Sequence, residues 1–218
     1  MDLLIDLKRE CSCHGDKLVK LEGKYINGPI ESSIIFLDES YNEYITRYEQ
    51  SDRYAPRQRR NLRMALKLGY RCREFRWNDY LNDIYAINTS KEIRSGGPMR
   101  EAYRVLPEQL KRETEFKKSC LYHWPMGWGI FKDGLLTGYI TSKRAGDILL
   151  YSQIIGHGDH LSKSIMVLLH FTMREWVHTS KWCEGLKFLM YGDHYGGRND
   201  GLRNWKERFL FTPWRLIC

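Results

Sequence analysis

Residues 146–216 carry the arrangement that most narrows what this chain can fold into: strand, polar turn, helix, strand, turn, helix, strand. GDILLYSQII is an apolar run of strand length, and GHGDH breaks it. LSKSIMVLLHFTMREWVH repeats its apolar residues with the period of a buried helix. GLKFLMYG returns as a strand, DHYGGRNDG turns, LRNWKERFLF reads as a short amphipathic helix, and TPWRLIC closes the order. The alternation predicts an α/β fold. A turn with two glycines between an apolar strand and a helix N-terminus can hold phosphate oxygens on backbone N–H groups. The plainer reading is a turn whose glycines relieve backbone strain, with Ser162 capping the helix.

Upstream, LVKLEG and SSIIFLDE read as strands separated by a turn at Asn27-Gly28-Pro29. SYNEYITRYEQ is expected to be helical, Ser40 and Glu43 forming a capping box. Pro56 suits the start of the helix RQRRNLRMALKLG, after which YRCREFRW alternates as a strand. NDYLNDIYAINTSKEI is expected as an amphipathic helix ended by Ser95-Gly96-Gly97-Pro98. Residues 101–119 are expected to be partly helical, with an interruption at Pro107. WGIFKDGLLTGYITSKRAGDILLYSQII predicts two hairpin-connected strands leading into a third, turning at Asp133-Gly134 and Ala145-Gly146. Composition changes little along the chain. Residues 1–50 are therefore read as N-terminal strands and a helix, and 51–218 as the core, unless 1–218 forms one domain.

The 218 residues are 42% hydrophobic and 28% charged, an ordinary globular composition. No apolar run reaches membrane-spanning length, and MDLLIDLKRE is charged where a signal peptide would be apolar, so a cytoplasmic protein without membrane insertion is expected. Six unevenly spaced cysteines do not make a disulfide framework. Cys11-Ser12-Cys13-His14 offers at most three close ligands and has no C-x-x-C partner, so no metal is expected. The oligomeric state is left open.

The net charge of +8 favours an anionic partner. Its densest run is Arg57, Arg59, Arg60, Arg63 and Lys67, followed by Arg71, Arg73 and Arg76 with Tyr70, Phe75 and Trp77 interleaved. Such a run can bind DNA or RNA through phosphates and base stacking, or it can be a solvated helix face. At the end of the late strand, Asp193 or His194 can take a proton from an amine and Tyr195 can donate one. Tyr151 points either to the same cleft or into the core.

DILLYSQIIGHGDHLSKSIMVLLHF has the layout of the GNAT superfamily of acyl-CoA-dependent N-acyltransferases, which it resembles. Gln153-Ile154-Ile155-Gly156-His157-Gly158 matches the family's Gln/Arg-x-x-Gly-x-Gly/Ala turn; an alternative register places the turn at residues 161–166. Tyr191-Gly192-Asp193-His194-Tyr195-Gly196-Gly197, followed by GLRNWKERFLF, resembles the strand end, Gly-Gly turn and Phe-Lys-x-x-Phe-Gly helix ending of its Fem relatives. RRNLRMALKLGYRCREF likewise resembles the Fem basic helix before a strand.

The resemblance implies a GNAT-like mixed central sheet flanked by helices on both faces. It implies transfer from acyl-CoA, acetyl-CoA being the expected donor, to an amine acceptor that a nucleic acid can carry. Gln153, Ile154, Ile155, Gly156, His157, Gly158, Ser162 and Lys163 would bind the donor, and central-strand N–H groups would polarise its thioester. Asp193 or His194 would deprotonate the amine. Trp205 stands where a tyrosine often protonates the thiolate, which leaves Tyr195, Tyr191 or solvent for that step. The rival readings are an aminoacyl-tRNA-dependent transferase and a non-catalytic basic nucleic-acid-binding module.

Overall fold

The computed structural model describes residues 1–6, 25–51, 55–94, 97–112, 118, 120–196 and 200–217. The expected strand LVKLEG and the group Cys11-Ser12-Cys13-His14 lie outside the described residues.

The elements, in chain order, are β1 (Asp2–Leu4), β2 (Ser32–Phe36), α1 (Tyr41–Ser51), α2 (Ala55–Lys67), β3 (Arg71–Phe75), α3 (Leu81–Thr89), β4 (Ile93–Arg94) and β5 (Gly97–Pro98). They continue with β6 (His123–Lys132), β7 (Leu135–Ala145), β8 (Ile148–Gly156), α4 (Ile165–Thr179), β9 (Phe188–Asp193), α5 (Asp200–Arg208) and β10 (Thr212–Ile217). Among the described residues, eight strands form one sheet in the order β1-β10-β2-β9-β8-β7-β6-β3, and β4 pairs with β5 alone. The β1/β10 and β8/β9 pairs are parallel and the other pairs antiparallel, so the sheet is mixed.

Local chemistry accounts for several boundaries. Before α1, the Ser40 N–H donates to Glu43 Oε2 at 2.7 Å and the Glu43 N–H donates to Ser40 Oγ at 3.3 Å, the expected capping box. Asp133 and Gly134 turn β6 into β7 with φ of 51° and 84°, the left-handed pair that a two-residue hairpin requires. Two expected helices are shorter than their apolar patterns. Residues Trp77–Tyr80 form a 3-10 turn before α3, and Ile93 and Arg94 pass into β4. Residues 101–112 hold only the 3-10 turns Glu101–Tyr103 and Pro107–Leu110.

The sheet is covered on both faces. On one, α1, α2, α4 and α5 bury Tyr44, Tyr48, Ala65, Leu168, Leu169 and Phe209 against Met126, Ile140, Leu149 and Leu189. On the other, α3 and its flanking turns bury Trp77, Ile84, Ile87 and Met99 against Phe131, Leu136, Tyr139 and Ile155. A third cluster joins Ile34, Ile148, Phe188, Met190 and Leu216. Burial on two faces explains why β6 to β8 are nearly continuous hydrophobic runs. Among the described residues, no helix is long and apolar enough to cross a membrane.

Candidate functional site

The central strands part. β8 and β9 pair only through Ile148↔Phe188, Leu149↔Leu189 and Leu150↔Met190, and no pair joins them beyond that point. On its other side β8 stays paired with β7, but its register slips: Tyr151 opposes Ser142 and Gln153 opposes Thr141, leaving Ser152 as an extra, exposed residue. Such a bulge bends its strand, here away from β9. The angle between the strands is lined on the α4 face by aromatic rings from three elements. Tyr151 and Tyr191 have ring centres 6.1 Å apart, Trp205 of α5 lies 5.8 Å from Tyr191, and Phe211 lies 6.4 Å from Tyr151.

The end of β9 distributes its polar groups unequally. Asp193 Oδ1 accepts the N–H groups of Tyr195 (3.0 Å) and Gly196 (2.8 Å), so its carboxylate holds the turn together. His194 is buried; its Nδ1 is 2.9 Å from Ser33 Oγ and its Nε2 3.7 Å from Glu207 Oε1. Burial, aided by the Lys206 charge, holds its pKa below the ordinary histidine value. Tyr195 points outward, 58% exposed.

Lys206 is the group that sequence reasoning missed. It is 2% exposed, donates from Nζ to the Asp193 carbonyl, and sits 4.9 Å from the Tyr191 ring centre. Burial lowers its pKa to about 8 and raises that of Tyr191. The signal was present in NWKERFLF: a lysine one residue after Trp205 and three before Phe209, between two aromatics that both face the core.

The glycine turn after β8 is held by the protein itself. The Gly158 N–H donates to Ser90 Oγ (2.9 Å), that of Asp159 to His157 Nδ1 (3.3 Å), and that of His160 to the His157 carbonyl (3.0 Å). Arg94 Nη1 donates to the Gly156 carbonyl at 3.0 Å, and Tyr70 Oη lies 2.6 Å from His160 Nδ1. Gly156 is a matter of space, since a Cβ there would lie 2.5 Å from Met166 Sδ and 2.9 Å from Leu161 Cδ2. Gln153 Oε1 accepts from Thr141 Oγ1 at 3.3 Å, Ile154 packs toward the α4 face, and Ile155 is buried on the opposite face.

The helix also starts later than its sequence pattern suggests. Gly158–Lys163 is a 3-10 helix, and Ser164 takes a left-handed conformation with φ 58° at the N-cap of α4. Ser162, expected as the cap, lies inside the 3-10 turn and is exposed, as is Lys163. Ser164 makes no side-chain cap, and the N–H groups of Ile165 and Met166 meet no acceptor among the described residues.

Those helix ends face a cleft of about 400 Å³. It is lined by Arg57, Gln58 and Asn61 of α2, Ser164 and Met166 at the start of α4, and Trp205 and Arg208 of α5, among others. Gln58 Oε1 is buried there without a hydrogen bond. Two guanidinium groups and a helix N-terminus give the cleft the character of an anion site. Of the remaining basic residues of α2, Arg59 pairs with Glu49, while Arg60, Arg63 and Lys67 are exposed. Among the described residues, no group of three or more His, Cys, Asp or Glu side chains converges on a metal-sized site.

No protein-family model and no curated protein matches the sequence. Solved structures do match the fold. FemX superposes with a TM-score of 0.60 at 12% identity, over 91% of this chain and 65% of that one. A conserved protein of unknown function from Bacteroides thetaiotaomicron VPI-5482 gives 0.50 at 10% identity, over 89% and 61%. A tandem GNAT protein from the clavulanic acid biosynthesis pathway gives 0.48 at 12%, over 92% and 56%. The chain thus spans less than two thirds of the length of these structures. The mixed sheet with its parted central strands and flanking helices is a GNAT-like α/β fold, as the resemblance implied.

Proposed function

We propose that the chain is an N-acyltransferase of the GNAT type, on a branch similar to the Fem group, that moves an acyl group from acyl-CoA to an amine. The observation that carries this reading is the parting of β8 and β9 with buried Lys206 and half-buried Tyr191 at its mouth. A flat, fully paired sheet would need neither the bulge at Ser152 nor a buried amine beside a half-buried phenol.

In this reading the donor's phosphates lie in the cleft between Arg57 and Arg208, near the start of α4, and its thioester enters the parting. The β8 backbone beyond Leu150 has no β9 partner, so it can offer N–H groups to the developing oxyanion. The nitrogen lone pair of the acceptor adds to the thioester carbon, the C–N bond forms and the C–S bond breaks. The proton released from nitrogen goes to the unprotonated fraction of Lys206, which grows as pH approaches and passes its lowered pKa of about 8. The departing thiolate takes the proton of Tyr191, whose ring lies beside Lys206; the phenol then regains a proton from water, and Lys206 releases its own to water. Asp193 orders the turn, and His194 sits behind Lys206 as a buried neighbour.

The test is direct. The purified chain is incubated with a panel of acyl-CoAs and with polyamines, amino acids, aminosugars and nucleic acid as acceptors, while free thiol and product mass are followed. Thiol release that needs an acceptor and is lost in Lys206→Met supports the assignment. Absence of thiol release across the whole panel overturns the acyl-CoA reading.

One observation favours a second donor, an aminoacyl-tRNA. The cleft residue Arg57 begins a helix whose exposed Arg60, Arg63 and Lys67 extend the positive surface beyond the cleft. A backbone of phosphates can follow that helix where a single coenzyme cannot. RNase-sensitive transfer with acyl-CoA inactive would select this donor.

A further inference from the structure

Arg174 is the least compensated group among the described residues. It projects from α4, is 0% exposed, and none of Nε, Nη1 and Nη2 meets a hydrogen-bond acceptor. Its guanidinium carbon lies 4.2 Å from the centre of the Tyr44 ring, a contact that engages the face of the cation and leaves its edge donors unused. Glu39 acts on it electrostatically, but both oxygens of that carboxylate are taken by Arg47.

Other buried polar atoms around it are also unmatched. Tyr151 Oη and His170 Nδ1 have no hydrogen-bond partner among the described residues, while His170 Nε2 is 3.2 Å from Tyr44 Oη. Arginine cannot discard its proton to escape burial. A buried guanidinium with five idle donors lacks its counterpart, which chemistry identifies as an anion with oxygens in a plane.

Position supplies the rest. Tyr151 is the first β8 residue beyond the last pair with β9, and its ring is 6.1 Å from that of His170. The Arg174 charge acts on both Tyr151 and His170, which sets the group on the α4 side of the closed end of the parting, where the far end of an acyl chain would arrive if its thioester sat at the mouth.

We propose that Arg174, together with Tyr151, receives a carboxylate at the far end of the donor's acyl group, so that the substrate is a dicarboxylic acyl thioester. The inference rests on the acyltransferase reading above. The bonds made and broken are the same, and the distal carboxylate is a spectator that remains on the amide product.

The experiment compares donors of matched length, succinyl-CoA and glutaryl-CoA against butyryl-CoA and valeryl-CoA, with the full chain. The expected preference for the dicarboxylic member is about 10-fold or more in kcat/KM, and Arg174→Met collapses that ratio toward one. A separate arm reads thermal unfolding in free glutarate, acetate or chloride at constant ionic strength. Glutarate is expected to raise the Tm of the wild type and not of Arg174→Met. If Arg174→Met does not fold, Tyr151→Phe removes one donor, keeps the ring, and is expected to lower the ratio by about 3-fold or more.

A flat donor ratio in the wild type, or a ratio unmoved by the substitution, overturns the proposal while leaving acyl transfer intact. Chloride stabilising as well as glutarate, with no donor preference, also overturns it and marks a site for an inorganic anion. Lack of transfer from every thioester removes the donor reading instead, and an Arg174-dependent glutarate shift would then still report a carboxylate site.

Discussion

Lys206 and Tyr191 meet at the mouth of the parted strands, the amine nitrogen 4.9 Å from the centre of the phenol ring. Burial acts on them in opposite directions, lowering the lysine to about 8 and raising the tyrosine. Above about pH 8 a mostly uncharged amine therefore stands beside a phenol that keeps its proton. One is prepared to accept a proton and the other to give one.

The pH dependence of transfer should show this pair. With an acceptor amine of pKa below 6, kcat/KM should rise through a limb near pH 8 as Lys206 loses its proton. Lys206→Met should lose that limb and about 100-fold or more in rate, a typical loss for a positioned base. A full pH–rate profile of both proteins checks it.

The same residue should lower stability. The folded pKa of Lys206 lies below the unfolded value, so the folded state binds fewer protons between about pH 8 and the ordinary value of 10.5. Stability of the wild type should rise with pH across that window, and the penalty should be fully present below it. Lys206→Met removes the buried charge and is expected to be more stable at pH 7 by roughly 1–3 kcal/mol, with no such rise at higher pH. Urea unfolding at pH 7 and pH 10 measures both.

Arg57 and Arg208 face one cleft from different helices. If they hold the donor's phosphates, replacing either with alanine should raise the donor KM by about 10-fold with a smaller change in kcat. The acceptor KM should stay where it was. Steady-state kinetics with each substrate varied in turn separates the two.

Gly156 touches side chains that a methyl group would strike. Gly156→Ala is expected to destabilise the chain by about 1–3 kcal/mol, because Met166 and Leu161 must move. Met166→Ala in the same chain should recover part of the loss, since the thioether is the nearer obstacle. Denaturant midpoints of the three proteins test this.

Acid should weaken the helix layer. Burial first, and the Arg174 charge second, lower His178 to about 4 and His170 well below the ordinary value. The unfolded chain takes up these protons near pH 6.5 and the folded chain does not. Stability should thus fall as pH drops below 6.5, by about 1.4 kcal/mol per pH unit for each histidine. His178→Asn should reduce the slope by one proton above pH 4, as measured by unfolding free energy against pH.

Features written in a few adjacent residues were legible in the sequence. Ser40 and Glu43 bond as their spacing demands, and Asp133-Gly134 makes the hairpin that its conformational preferences favour. The strand and helix order of residues 146–216 was legible because burial imposes its period on the apolar residues. The late start of α4 was not, since the 3-10 turn Gly158–Lys163 and the left-handed Ser164 that follows it interrupt a run whose apolar period reads as one helix. Nor was the burial of Arg174 and Lys206. Each lies on a helix whose pattern accommodates a charged residue, and only the arrival of Tyr44 or Tyr191 from distant segments closes it off from water. The GHGDH turn reads as a ready set of N–H donors, but Ser90, a residue 68 positions away from Gly158, takes one of them.

Among the described residues, three residue pairs, Ile148 to Leu150 against Phe188 to Met190, form the ladder that joins β1-β10-β2-β9 to β8-β7-β6-β3. Mechanically this is a hinge between two four-stranded plates. The width of the opening is then set by the helices and rings spanning it, and changes at Leu149 or Leu189, both buried in the core beneath it, would retune it like a wedge moved along a jaw.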